Sequence, residues 1–394
     1  MTGSEMSGEA RQPVALVLGY TWLAISTPPI MTALYLADRG HPVDIFVDPD
    51  PDFTGRLGIN IPQLDHPLIT IRPTPPAEGA GPVFLADGTP LPAGQRPFAT
   101  AWRSPPRRYG WIVGFDPAGL VRATLLSQRW GVPYVYHSLE FAPPEDPLKP
   151  LERACNRGAL YTLSQDEARG LALAKLNELD PGSVFAVRNS SIGPVLPEKS
   201  DFFRERFPIG DRLIVLGVGT LSPAHSVDKL LASAASFPDD FVLVLHGWFN
   251  EDWFGPVAKA VADRSDRIFI STAVVPPGEK LRVFQGADVG VVSFEPLDCN
   301  MLNGAASAGK YYDFLRCGVP VVGNGLPGMR ELVEGDGCGL VVEDASLVHQ
   351  ALPAIMGGYD AFRASCLAAF PRYEFSACYA PVLEMTRAMI RRGA

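Results

Sequence analysis

The chain has 394 residues, of which 47% are hydrophobic and 20% charged, and its formal net charge is −9. The length predicts two domains, because one hydrophobic core seldom organises so many residues. The acidic balance argues against nucleic acid or an anionic membrane as a partner, since both attract basic surfaces. No apolar run approaches the roughly 18 residues that cross a bilayer, and the first ten residues lack the basic start of a signal peptide, so we expect a cytoplasmic protein.

The first half of the chain alternates strand and helix patterns after a polar tail at residues 1–12, which we expect to be disordered. This alternation predicts a parallel sheet with crossover helices. Residues 73–108 interrupt it with many prolines and glycines, which favour surface loops and a small hairpin at 83–90. The predicted strands are 14–18, 43–47, 111–114, 134–136 and 159–163, and the predicted helices are 28–39, 118–130 and 165–179.

The second half repeats this organisation after a linker that we place at residues 190–210. Its predicted strands are 213–217, 241–245, 267–270, 289–292, 319–322 and 339–342, and a last helix covers 375–392. We therefore expect an N-terminal domain at 13–195, a C-terminal domain at 196–374 and a separate C-terminal helix at 375–394.

One stretch of the second half combines a cation, a carboxylate, a glycine turn and an apolar strand. Lys310 and Asp313 share a face of a predicted helix that Gly318 ends, and residues 319–323 follow as a buried strand. Ligands of doubly wound sheets bind outside the carboxyl ends of the strands. The pair is therefore placed to meet a phosphate and sugar hydroxyls, and the alternative is an ordinary surface ion pair.

The stretch Gly309–Val322 resembles the K-x-x-E-Y-x-x-x-G-x-P-V-V signature of GT-B glycosyltransferases, especially glycosyltransferase family 4. The resemblance implies an α/β fold of two Rossmann-like doubly wound domains that face a central cleft, with a C-terminal helix crossing back to the N-terminal domain. It also implies a retaining, metal-independent transfer of sugar from a nucleoside diphosphate. Asp313 stands where the family has a glutamate that holds the nucleotide ribose.

A second stretch resembles the family's G-R-L-x-x-x-K-G loop, whose arginine and lysine bind the donor diphosphate. Gly219 is retained here, but Thr220 replaces the arginine and His225 replaces the lysine. We expect these residues and Lys310 to bind the diphosphate, with His225 titrating near neutral pH and Lys310 charged throughout. The alternative is a helix cap with a solvated Lys229.

A third stretch, Asn303, Gly304 and Ala305, precedes the signature helix. The family often has a glutamate at the position of Ala305, where it contacts the donor sugar. Small residues let backbone N–H groups approach a phosphate closely, so we expect all three residues to contribute to donor binding.

The first half supplies candidate residues at two strand ends. His137 follows a predicted strand, where it resembles a family histidine that faces the donor sugar, and Glu140 is a candidate acceptor-side carboxylate or base. We assign both to catalysis. Gly19 and Tyr20, in the turn after the first strand, are assigned to donor binding. This turn lacks the G-x-G-x-x-G of dinucleotide enzymes.

Other functions remain open at this point. Asp48, Asp50 and Asp52 imitate the metal-binding D-x-D of GT-A enzymes, but the prolines between them favour a solvated turn. The six cysteines form no C-x-x-C pair, so we expect no zinc site and no cofactor. Aromatic and arginine residues at 102–111 suggest a small polar or aromatic acceptor. The alternatives are a sugar-nucleotide-binding protein without activity, or a GT-B epimerase or phosphorylase.

Overall fold

The computed structural model describes residues 11–19, 23, 26–49, 64–75 and 81–393. The described chain divides into two compact units. Unit 1 runs to Leu163 and also contains residues 174–184 and the chain from Glu384 onward, whereas unit 2 contains residues 164–173 and 185–383. The tail predicted at residues 1–12 lies outside the described residues, apart from its last two.

The first sheet has seven strands: β1 (Val14–Leu18), β2 (Val43–Val47), β3 (Ile69–Pro73), β4 (Trp111–Phe115), β5 (Tyr134–His137), β6 (Thr162–Ser164) and β7 (Val184–Ala186). Their order is β3-β2-β1-β4-β5-β6-β7. Strands β1, β2 and β4 are buried along their whole length, as expected for strands covered on both faces. The order reverses between β1 and β4, which is the topological switch point of a doubly wound sheet.

The helices of this part of the chain are α1 (Thr27–Asp38), α2 (Arg96–Ala101), α3 (Asp116–Trp130), α4 (Lys149–Asn156) and α5 (Glu167–Asn177). Prolines in the first turn of α1 are compatible with a helix start, because those N–H groups have no helical partner. Helix α3 ends at Gly131, whose left-handed backbone (φ 66°) suits glycine.

The second sheet has six parallel strands: β8 (Leu213–Leu221), β9 (Phe241–Phe249), β10 (Ile268–Ser271), β11 (Val289–Val292), β12 (Val321–Asn324) and β13 (Gly339–Val342). Their order is β10-β9-β8-β11-β12-β13, so the switch point lies between β8 and β11. The helices that follow are α6 (Val227–Ala234), α7 (Phe254–Ala262), α8 (Lys280–Gln285), α9 (Cys299–Leu302), α10 (Gly309–Cys317), α11 (Met329–Val333), α12 (Val348–Gly357), α13 (Tyr359–Tyr373) and α14 (Phe375–Gly393).

Hydrophobic clusters cover both faces of the second sheet. Helices α8, α10 and α13 pack on one face, and α6, α7 and α12 pack on the other. Phe314 of α10 lies directly on β11, because Gly290 leaves room that a side chain would fill: an added Cβ would come within 2.6 Å of the Phe314 ring. Gly318 ends α10 with φ 65°, as predicted. This packing holds the beginning of α10 beside the switch point.

Strands β8 and β9 extend four residues beyond the ends that the sequence predicts. Pairing continues from Val218 with His246 to Leu221 with Phe249. Gly219 (φ 112°) and Gly247 (φ 151°) adopt backbone conformations that side chains rarely allow. Two glycines therefore let a paired ribbon project past the carboxyl end of the neighbouring strand β11.

Four elements of the first half lie where the sequence analysis predicts none or only loops, namely β3, α2, α4 and β7. Strand β3 ends in Pro73 at the sheet edge, where a residue without an N–H is tolerated. The hairpin expected at 83–90 is present as a single antiparallel bridge between Phe84 and Pro90.

Helix α14 begins in unit 2 and ends in unit 1, as predicted for a helix that crosses back to the N-terminal domain. Near its end, Thr386 is hydrogen-bonded to Tyr161, and Arg387 Nη2 lies 2.8 Å from His41 Nε2. Among the described residues, no helix is both long and apolar enough to cross a membrane.

We predict that Gly247→Ala destabilises the protein by about 2 to 4 kcal/mol. An added Cβ would lie 1.7 Å from the carbonyl oxygen of Gly219, so the ribbon must open. Gly94→Ala is the control, because a Cβ there meets nothing within 4 Å. Urea unfolding of both variants measures the difference, and equal stabilities would contradict the strain assigned to Gly247.

Candidate functional site

A small pocket lies at the switch point of the second sheet. Its walls come from the carboxyl ends of β8 and β11, the turn after β8 and the first turn of α10. Four polar side chains line it: Thr220, His225, Ser293 and Lys310. The sequence analysis assigns Thr220, His225 and Lys310 to the donor diphosphate, and the structure brings these three together.

Lys310 is the cation of this pocket. It is the second residue of α10, and its ammonium lies 3.5 Å from the Val218 carbonyl oxygen and 4.8 Å from the centre of the Phe294 ring. Within the described parts of the chain, no carboxylate lies within ion-pair distance of it. Burial lowers the pKa of Lys310 to about 8. Because the free ammonium is costly to hold there, a bound anion would stabilise it strongly.

His225 lies beside Lys310 and, like it, is half-buried. Its Nδ1 is 2.8 Å from Ser222 Oγ, and its ring packs against Phe294. Burial, followed by the positive charge of Lys310, lowers the pKa of His225 to about 4. The free protein therefore holds a neutral His225 at neutral pH. This corrects our expectation that His225 titrates in the neutral range while Lys310 stays charged, because burial moves both pKa values downward.

Lys229 is an ion-paired residue and not the solvated lysine of the alternative interpretation. Its ammonium lies 2.8 Å from Glu295 and 2.6 Å from Asp344, and these partners raise its pKa. Glu295 also accepts a hydrogen bond from Ser226 at 2.7 Å. The sequence analysis missed both carboxylates, which come from loops after β11 and β13. Lys229 is thus neutralised by protein, whereas Lys310 is not.

Asp313 has partners other than Lys310. Its buried carboxylate pairs with Lys280 at 2.6 Å and accepts a hydrogen bond from Ser191 at 3.4 Å. Arg316, one turn later, donates to Ser191 and to the carbonyl oxygen of Pro194. The two signature residues therefore share a helix but have separate partners. The ribose role of Asp313 stays a prediction, and Lys280 is a neighbour that the sequence analysis missed.

The stretch before α10 is compact. Ala305 is buried in a short 3₁₀ turn, and the Asn303 amide donates to the Cys299 carbonyl oxygen at 2.7 Å. A Cβ on Gly304 would lie 2.9 Å from the Met301 carbonyl oxygen. These three residues shape the loop that leads into α10, and donor contacts from them remain a prediction.

In unit 1, His137 ends β5 and is completely buried. Neither ring nitrogen has a hydrogen-bond partner among the described residues, and burial lowers its pKa to about 3. Such an unsatisfied buried imidazole is uncommon in proteins and often marks a functional position. Glu140 is exposed in the loop that follows β5.

Close packing explains why glycine stands at position 19. It follows β1, and an added Cβ would come within 2.2 Å of Ala118 in the first turn of α3. Glycine therefore allows the turn after β1 to approach α3 closely. Tyr20, its predicted partner in donor binding, lies outside the described residues, so the structure does not place it.

One aspartate of the D-x-D interpretation already has a partner within the protein. Asp48 accepts two hydrogen bonds from the buried Arg122 guanidinium, at 2.9 and 2.7 Å, while Asp50 and Asp52 lie outside the described residues. Among the residues that the structure describes, no three His, Cys, Asp or Glu side chains are grouped to hold a metal ion.

Residues of the segment at 102–111 pack against β2 and begin β4. Arg107 and Tyr109 both bind Asp44, near the start of β2, and Trp102 packs edge-on against Phe46, near its end. Trp111 begins β4. Arg107 and Tyr109 therefore have partners within unit 1, and the acceptor role of the segment stays a prediction.

Solved structures resemble this chain over almost its whole length. Anabaena HepE, in complex with UDP and glucose, matches with a TM-score of 0.72 and 14% identity over 96% of this chain and 100% of that chain. Sucrose-phosphate synthase from Thermosynechococcus elongatus matches at 0.67 and 17%, over 97% and 99%. A glycosyltransferase from Rickettsia africae matches at 0.70 and 13%, over 98% and 99%. No protein-family model and no curated protein matches the sequence.

The chain has the GT-B fold. Two sheets of parallel strands and the last helix agree with these neighbours, which confirms the predicted fold class. At such low identities the likeness extends to the fold and no further. Within this GT-B chain, the pocket at Lys310 occupies the switch point of the second sheet, where doubly wound folds bind their ligands.

We predict that binding of a nucleoside diphosphate weakens as pH rises above about 8, because Lys310 then loses its proton. A bound anion would raise the pKa of Lys310 in the complex. Affinity should therefore be highest below the free pKa and fall between the free and the bound value. Calorimetric titration of nucleoside diphosphates from about pH 7 to 10 measures this, a range in which phosphate itself stays ionised.

Three variants separate the sources of this pH dependence. Lys310→Gln should lower affinity by about 1 to 3 kcal/mol and flatten the profile, and Lys310→Arg should keep affinity without the decline. Lys259→Gln, on the exposed side of α7, is the matched control and should behave as the parent protein. The same decline in Lys310→Gln would show that another group titrates.

Proposed function

We propose that this chain transfers a sugar from a nucleoside diphosphate donor to an acceptor. The observation that carries the proposal is the ammonium of Lys310, which lies at the switch point in the first turn of α10 and has no carboxylate partner in the described part of the chain. Cleavage of a donor releases negative charge onto the diphosphate. A cation and a helix N-terminus held in place before the reaction stabilise that charge without reorganisation.

Thr220 and His225 complete the proposed diphosphate site. Thr220 offers a hydroxyl at the end of the β8 ribbon. The neutral His225 offers a ring nitrogen beside Lys310 and gains a proton more easily when an anion is bound. In this arrangement the positive charge comes from one lysine and the remaining contacts are hydrogen bonds.

Asp313 is proposed to hold the donor ribose, which requires an exchange of partners. In the structure its carboxylate is paired with Lys280, whose side chain is 46% exposed. Lys280 can turn towards solvent, and the ribose hydroxyls would have to compensate the buried carboxylate that it leaves. Ribose hydroxyls would then donate to the buried carboxylate.

Unit 1 is proposed to supply the acceptor side. The buried His137, with two ring nitrogens that lack partners, is proposed to contact the donor sugar, and Glu140 to act on the acceptor. The finer assignments follow from the resemblance to family 4: transfer without a metal ion, retention of the anomeric configuration, and a small molecule or growing glycan as acceptor.

A second candidate function is sugar-nucleotide binding without turnover. Thr220, His225 and Ala305 stand where the family has an arginine, a lysine and a glutamate, and this loss of three charged groups favours it. An epimerase or phosphorylase would share the fold. Obligatory use of inorganic phosphate would identify a phosphorylase.

A ligand screen followed by a turnover assay tests the proposal. UDP-glucose, UDP and other nucleoside diphosphates should raise the melting temperature, since a ligand bound only by the folded state stabilises it by RT ln(1 + [L]/Kd). The best ligand should then be hydrolysed slowly or transferred to added sugars, at a rate that EDTA leaves unchanged. Binding without turnover favours the second candidate, and absence of binding contradicts both.

We predict that Asp313→Ala weakens binding of the same nucleotide by about 1 to 3 kcal/mol, because ribose hydroxyls lose a charged acceptor. Lys280→Ala is the matched control. It removes the same ion pair but leaves the carboxylate, so affinity should stay equal or increase. Calorimetry on both variants measures their nucleotide affinities. Equal losses of affinity would show that Asp313 acts only as the structural partner of Lys280.

A further inference from the structure

The junction between β4 and α3 contains an unusual backbone conformation. Asp116 lies at the carboxyl end of β4, beside the switch point of the first sheet, with φ 57°. Only two other described residues besides glycine, Glu178 and Ser226, share this left-handed region. Pro117 follows and favours extended backbone at the preceding residue, so the conformation of Asp116 is doubly unfavourable. Something outside the local sequence must stabilise it.

The Asp116 carboxylate binds the loop that follows β5. Its Oδ1 accepts hydrogen bonds from the backbone N–H groups of Leu139 and Glu140, both at 2.8 Å. At the far end of the same stretch, the Ala142 N–H donates to the buried Glu152 at 3.2 Å. Two carboxylates from neighbouring elements therefore hold the backbone between residues 139 and 142.

This loop begins directly after His137. The Phe115 ring, adjacent in sequence to Asp116, lies 5.2 Å from the His137 ring, and the two residues are register partners in β4 and β5. The imidazole itself has no hydrogen bond that would fix its orientation among the described residues. The position of the imidazole therefore depends on the backbone before and after His137, and Asp116 fixes the backbone that follows β5.

We propose that Asp116 is a positioning residue that fixes the loop after β5 and thereby holds His137 and Glu140 in place for sugar transfer. The proposal rests on the proposed function, in which His137 contacts the donor sugar. An acidic residue at the start of α3 also suits the helix dipole. That local role explains neither the left-handed backbone nor the two hydrogen bonds to another loop.

Asp116→Gly removes the carboxylate and retains the backbone conformation, since glycine adopts positive φ freely. Hydrogen exchange of the Leu139 and Glu140 amides should accelerate at least about tenfold, because both lose their acceptor. The ring NMR signals of His137 should move, and kcat for UDP-glucose hydrolysis should fall about tenfold with KM nearly unchanged. Unchanged amide exchange, or lost protection with unmoved His137 signals, overturns the proposal.

Two further variants serve as controls. Asp116→Asn retains an oxygen acceptor and tolerates the left-handed region. It should therefore largely keep the amide protection, the His137 signals and the kcat of the parent protein. If it does not, the proposal is overturned, even where Asp116→Gly fails to fold. Glu178→Gly, the matched backbone control, should change none of these values. If the parent protein binds no sugar nucleotide, the proposed function fails, while amide exchange and the His137 signals still decide whether Asp116 positions the loop.

Discussion

The pocket of the second sheet depends on one ammonium group that has no carboxylate partner among the described residues. Phe314 can lie on β11 only because Gly290 has no side chain, and this contact places α10 beside the switch point of the second sheet. Lys310 thereby lines a small pocket, where burial lowers its pKa to about 8. The packing of one glycine and one aromatic ring thus determines where this ammonium group lies.

The charges around this pocket are distributed unequally. Lys229 of α6 is neutralised by Glu295 and Asp344, so its charge stabilises the folded protein. Lys310 has no such partner within the described parts of the chain. Asp313 pairs with Lys280. A lysine without a carboxylate partner there and an ion-paired carboxylate therefore lie on one helix.

The first sheet also has a switch point, and residues with an unusual backbone or unusual burial lie at the carboxyl ends of its strands. Asp116 adopts a left-handed backbone and holds the loop after β5, and Phe115 packs beside His137. Within the aromatic and arginine segment at 102–111, Arg107 and Tyr109 bind the buried Asp44 near the start of β2. Composition alone does not predict these partners, because Asp44 is far away in sequence.

The sequence by itself determined the α/β class, most strand positions and the glycine-terminated helix that carries Lys310, because hydrophobic periodicity and glycine caps are local signals. The GT-B fold followed from the resemblance of its motifs to those of a known family. Only the tertiary structure decided that Lys229 is neutralised, that Asp313 binds Lys280, and that residues 164–173 belong with unit 2. It also decided the pKa values of His225 and Lys310. These properties depend on burial and on partners far away in sequence, which no local pattern specifies.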